Sequence, residues 1–130
     1  MLIANNGNIN LGNVNAKDVA VLASGSINTN GGSRFTGSVL MANGNSAGSI
    51  NFNGCTTTTS GTDQVQVIAQ GSITYNGASH TRGSFLSQGT FIFNGLSTLY
   101  GDIGAKGNII FNGLTTVIGA SIRQIGRAHV

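Results

Sequence analysis

Charge is what this 130-residue chain has least of: only 7% of its residues are Asp, Glu, Lys or Arg. It has no proline, no tryptophan and a single cysteine. Low charge normally accompanies a large apolar core, but here Asn, Ser, Thr and Gly fill the space instead. That balance suits many short strands and tight turns and argues against amphipathic helices. No apolar pattern of helical period extends beyond two turns, and no apolar run is long enough to span a membrane. Cys55 has no partner for an intrachain disulfide and reads as an ordinary thiol. The net charge of +3 comes from six scattered cations and three anions. Nucleic-acid readers cluster their basic residues on one face, so no nucleic-acid partner is expected. The opening MLIANNGNIN lacks the basic-then-apolar order of a signal peptide.

What is there is glycine, 21 residues of it, and it is periodic. One phrase recurs as GNINLG at Gly7, GSINTNG at Gly25, GSINFNG at Gly48, GSITYNG at Gly71, GTFIFNG at Gly89 and GNIIFNG at Gly107. The spacings are 18, 23, 23, 18 and 18. The unit is therefore 18 residues, and two copies carry five-residue insertions near Ala42–Ala47 and Thr57–Asp63. Both insertions are small and polar, as loops leaving a regular body should be. From Gly71 to Gly119 glycine falls at every sixth position, nine times without a break. A hexad fits one short strand plus one corner, and three hexads close one coil. The expected fold is all-β: a single-stranded β-solenoid of triangular coils, about 4.8 Å apart and paired as parallel sheets. Its expected extent is residues 1–124.

The first side of each coil alternates clearly. Ile27, Ile50, Ile73, Phe91 and Ile109 should point inward, as should Thr29, Phe52, Tyr75, Phe93 and Phe111. Ser26, Ser49, Ser72, Thr90 and Asn108 should face water. The corner that follows repeats Asn-Gly five times, with Asn30, Asn53, Asn76, Asn94 and Asn112 leading. Asn-Gly tolerates positive φ. A hairpin turn is the rival reading, but antiparallel hairpins would not preserve one 18-residue phase. The five asparagines should stack as a structural amide ladder. The second side carries a hydroxyl column of Ser33, Thr56, Ser79, Ser97 and Thr115, with Arg34, Thr57, His80, Thr98 and Thr116 beside it. Alternation is weaker on the third side, where the expected core column is Val21, Val39, Val67, Phe85 and Ile103.

Residues for catalysis are scarce. The 18-residue triangular coil resembles the left-handed β-helix acyltransferases, which generally need a positioned histidine base and a cleft between subunits. His80, within ASHTRG, is the one internal histidine and reads as a surface side chain. The hexads here also lead with glycine, not with the aliphatic residue usual in those enzymes. Asp18, Asp63 and Asp102 lie on different coils, so paired carboxylates are not expected. Metal ligands are too few, no phosphate-binding loop is present, and no cofactor is expected. Rows of Ser and Thr resemble ice-binding surfaces, but Arg34, His80 and Arg82 interrupt them. The outward position of the first side runs Asn28, Asn51, Thr74, Ile92, Ile110. Ile92 and Ile110 are either ordinary exposed strand formers or a contact face for a neighbouring domain or chain.

The register stops at the last six residues, Ile125–Val130. IGRAHV resembles a translation of the common short-read sequencing adapter, ATC-GGA-AGA-GCA-CAC-GTC, at all six codons. The natural protein is then expected to continue past Gln124, and Met1 need not be its start. The repeats GSITYNGASHTRGSFLSQG and GTFIFNGLSTLYGDIGAKGNIIFNG resemble the glycine-rich solenoid regions of bacterial surface and type IV pilus-associated proteins, over about residues 7 to 122. GNINLGNVNAKDVAVLASGSINTNGG also resembles haemagglutinin-type adhesin repeats. Bactofilins share the triangular coil, with repeats richer in charge and in Val and Ile. The resemblance implies a non-enzymatic structural segment at the cell envelope or surface, with an unidentified surface ligand. Self-association through the solenoid ends or the Ile92/Ile110 face is expected. The alternative is a cytoplasmic filament former.

Overall fold

In the computed structural model of the chain the described residues are 1–43, 48–53, 56–57, 65–77, 79–95, 97–113, 115–118 and 122–124. They hold seventeen strands and no helix, and every strand pair is parallel. The chain is a β-solenoid with three ladders along its axis. The first stacks β2 (Ile9–Gly12), β5 (Ile27–Asn30), β8 (Ile50–Asn53), β11 (Ile73–Asn76), β13 (Phe91–Asn94) and β15 (Ile109–Asn112). The second stacks β3 (Asn15–Lys17), β6 (Arg34–Thr36) and β9 (Thr56–Thr57) onto the leading halves of β12 (Ser79–Ser87) and β14 (Ser97–Ala105), then β16 (Thr115–Ile118). The third stacks β1 (Leu2–Ala4), β4 (Ala20–Ala23), β7 (Val39–Ala42) and β10 (Val65–Ala69) onto the trailing halves of β12 and β14, then β17 (Ile122–Gln124).

The first face keeps the expected alternation. Ile27, Ile50, Ile73 and Phe91 are fully buried and in register, as are Thr29, Phe52, Tyr75 and Phe93 one pleat on. Ile109 and Phe111 pack on the end of this core and are partly buried. Stacking like over like makes an aromatic spine. Phe52 lies 4.2 Å from Tyr75, Tyr75 4.7 Å from Phe93, and Phe93 5.8 Å from Phe111, each pair near-parallel. Phe85 and Phe91 close on the spine edge-on, 5.7 Å apart. Burying a side chain of this size contributes about 1.5–3 kcal/mol, so stability accumulates along the stack.

On the third face the inward column is Val21, Leu40, Val67, Phe85 and Ile103. This corrects the expectation for Val39, which aligns with Ala20 and Gln66 and is only half-buried. The reason is an offset of nineteen residues where the first face keeps eighteen. Val19 N donates to Ser38 Oγ at a separation of 19, whereas Asn28 and Asn10 are 18 apart. Because side chains alternate, a one-residue slip exchanges the two faces of a strand. The expected insertions fall largely on residues outside those described, as does Ile125–Val130. The strands on either side remain in register.

Stacking also explains glycine every sixth residue. Corners lie directly over corners, so a side chain at one meets the backbone of the next. Gly95 has φ +94, and a Cβ there would sit 3.0 Å from the Gly77 carbonyl oxygen.

One buried group conflicts with its column. Thr29 is 0% exposed between Leu11 and Phe52, and its Oγ1 has no hydrogen-bond partner among the described residues. Thr29→Val keeps the shape and removes the stranded hydroxyl. It should stabilise the protein by about 1–2 kcal/mol, read as a higher urea midpoint at unchanged m-value.

Candidate functional site

The polar side chains are used along the axis. Asn53 Nδ2 donates to Asn30 Oδ1 at 3.3 Å. Asn76 donates to Asn53, Asn94 to Asn76, and Asn112 to Asn94, each at 2.8 Å. A carboxamide carries both donor and acceptor, so identical residues at strand spacing can chain without ending. A second, shorter ladder runs outside the first face, from Asn51 to Asn28 at 2.8 Å and from Asn28 to Asn10 at 3.0 Å. Ser26, Ser49, Ser72 and Thr90 do not simply face water. Each is half-buried, and Ser49 N, Ser72 N and Thr90 N donate at 3.1 Å to Ser26 Oγ, Ser49 Oγ and Ser72 Oγ respectively. Alternation identified these as outward positions, but gave no sign that the serine hydroxyls accept a backbone N–H from the next coil.

The hydroxyl column of the second face begins differently from its expectation. Ser33 is 1% exposed, accepts from Val14 N and donates to the Asn30 carbonyl. It therefore presents no hydroxyl to solvent; exposed Arg34 occupies the neighbouring outward position. His80 is aligned in the backbone register with Thr57 and Thr98. Asp18 and Asp102 are exposed on different coils, and Cys55 and Asp63 lie outside the described residues. Among the described residues no three His, Cys, Asp or Glu gather at one point. Arg82 lies over the Tyr100 ring at 4.9 Å, a cation–π contact between adjacent coils.

Two outward apolar surfaces result. On the first face Thr74, Ile92 and Ile110 stack in register, with both isoleucines half-buried. The third face carries a longer stripe that sequence reasoning missed. Ile3, Leu22, Met41, Ile68 and Leu86 are in register on consecutive coils and point outward. Ile3 is 52% and Leu86 36% exposed; the three between them are half-buried. Ala20 and Val39 lie alongside, and the stripe ends where Gly104 and Arg123 take its position. A shallow depression of about 370 Å³ opens beside Ile3, Leu22 and Met41, and another of about 280 Å³ beside Ile68 and Leu86. The stripe is hidden in the sequence because both faces of AVLA and VLMA are apolar, which erases the alternation.

Comparison of the chain with protein-family models, with curated proteins and with solved structures returns no match.

Proposed function

We propose that this chain is a non-enzymatic rod segment of a bacterial envelope or surface protein. The supporting observation is the direction of its polar chemistry. Amides and hydroxyls that could converge on a ligand instead bond from coil to coil along the axis. Such ladders stiffen a stack and leave repeating, nearly flat sides. The surface location rests on the resemblance of the glycine-rich repeats. Reading the native coding sequence on both sides of the chain tests it. An export signal or a pilin-like apolar helix supports the surface rod. Short, polar, disordered tails would replace it with the cytoplasmic filament former.

The rod has a side suited to a second copy of itself. Two third-face stripes share one rung spacing of about 4.8 Å, so their side chains can interleave as in sheet-on-sheet packing about 10 Å apart. Purified protein should show concentration-dependent association by sedimentation velocity. The double variant Leu22→Lys/Leu86→Lys should remain monomeric, while Ile92→Thr/Ile110→Thr should associate as before. The opposite pattern would move the contact to the first face, and association unchanged in both would remove both faces as contacts.

A further inference from the structure

We propose that Asn30 is a site of spontaneous backbone-assisted deamidation, set apart by its place in the ladder from the interior Asn-Gly pairs at Asn76 and Asn94. In this chemistry the deprotonated Gly31 nitrogen attacks Asn30 Cγ and forms a five-membered succinimide. The Cγ–Nδ2 bond breaks, and Nδ2 leaves as ammonia with a proton returned by solvent. Water then opens one of the two imide C–N bonds, giving aspartate or isoaspartate. Amide and water become carboxylate and ammonium, with no redox change and no co-reactant besides water.

Every rung has the same dipeptide, so the structure makes the difference. At Asn76 and Asn94 both reacting groups are tied. Gly77 N donates to the Asn94 carbonyl at 3.1 Å, and Gly95 N donates to the Asn112 carbonyl at 2.9 Å. In each, the leaving Nδ2 donates to the preceding rung at 2.8 Å and Oδ1 accepts from the following rung at 2.8 Å. Asn30 is held less: its carbonyl accepts from Asn13 N and Ser33 Oγ, but its side-chain amide has only one ladder bond, from Asn53 Nδ2 to Oδ1 at 3.3 Å. Pairing of β5 with β8 stops at Thr29 and Phe52, whereas the later strands stay paired through their asparagines. Among the described residues Gly31 N donates to nothing, and Gly31 takes φ +73. The Asn13 carboxamide lies against this corner and accepts from Gly32 N at 3.0 Å, leaving Gly31 N itself unbonded. Asn30 itself is exposed. Its Nδ2 has no partner in the ladder, because Gly12 occupies the matching place one coil earlier.

Asn30 is also the rung that tolerates the product. The ladder is directional, with each later asparagine donating to the earlier one. Asn30 only accepts, and an aspartate there still accepts from Asn53 Nδ2. At Asn76 an aspartate cannot donate to Asn53 Oδ1 and sets oxygen against oxygen.

The test is incubation of the intact folded chain at pH 8.5 and 37 °C, with peptide mass spectrometry following the mass gain and isoaspartate at each site. Asn30 should convert roughly ten times faster than Asn76 or Asn94, since those rungs must first release hydrogen bonds. In urea the three rates should converge, which shows that the fold and not the flanking residues sets the order. Equal rates in the folded chain, or faster loss at Asn76 or Asn94, would overturn the proposal. The direction of the ladder is tested by variants. Asn30→Asp should shift Tm by less than about 2 °C, and Asn76→Asp should lower it by several degrees at pH 7. In the Asn76→Asp variant the new carboxyl faces the Asn53 acceptor, which raises its folded pKa. The deficit should therefore shrink as pH falls and the protonated acid can donate. The reverse ranking of the two variants would overturn the assignment of Asn30 as the acceptor end.

Discussion

Phe93→Ala should cost about 3–5 kcal/mol, enough to consume much of the stability of a domain this size. Phe93 is 0% exposed and sits in the aromatic spine. Tyr75 stacks on one side at 4.7 Å, Phe111 on the other at 5.8 Å, and Phe91 meets it edge-on at 5.2 Å. A methyl group in its place leaves three rings facing a void. Strand pairing holds the coil spacing and prevents collapse of that void. Urea unfolding followed by circular dichroism should show the loss directly. Phe111→Ala provides the comparison: Phe111 is partly buried at the end of the spine, so its loss should be clearly smaller. Equal costs at the two positions would mean that the spine is not the source of stability. In a stack of nearest-neighbour units the Phe93 variant should also unfold its C-terminal coils first, visible as earlier hydrogen exchange there.

Gly101→Ala should be nearly as damaging, at about 3 kcal/mol or more. Gly101 pairs with Gly83 inside the long strands β12 and β14, where the chain turns from the second face to the third. It has φ +128, and a Cβ would run into the Gly83 carbonyl. The obstacle is backbone, so no rotamer change relieves it. Gly12→Ala is the control. Nothing lies within 4 Å of a Cβ at Gly12, so the change should stay within about 0.5 kcal/mol or slightly stabilise. Thermal melts of both variants decide the matter. A mild Gly101→Ala would mean that the bend can shift, and the six-residue glycine period would then need another explanation.

The corner asparagines show how far residues alone can be read. Their spacing and chemistry made a ladder the natural reading, since an amide is the side chain that can donate and accept at strand spacing. Their inequality was not legible. Asn30 and Asn76 are each followed by glycine, and what the neighbouring coils place beside them is not written in either segment. The third-face stripe was illegible for another reason. Where outward and inward residues are both apolar, periodicity cannot say which set faces solvent, and Leu22, Met41 and Ile68 look like core.

The sequence by itself determined the coil. An 18-residue phrase, glycine at hexad boundaries and inward Ile and aromatic columns lead to a stack of three-sided coils, without fixing its hand, because identical short-range preferences add along a stack. The tertiary structure decided everything that depends on registering one coil against another. It turned Leu40 inward and Val39 outward, took the hydroxyls of Ser26, Ser49 and Ser72 into a ladder, and exposed a continuous apolar side. Register is a relation between segments, fixed by how extra residues at corners are accommodated. A single added residue there reverses the faces of a strand while leaving the composition and the visible period almost unchanged.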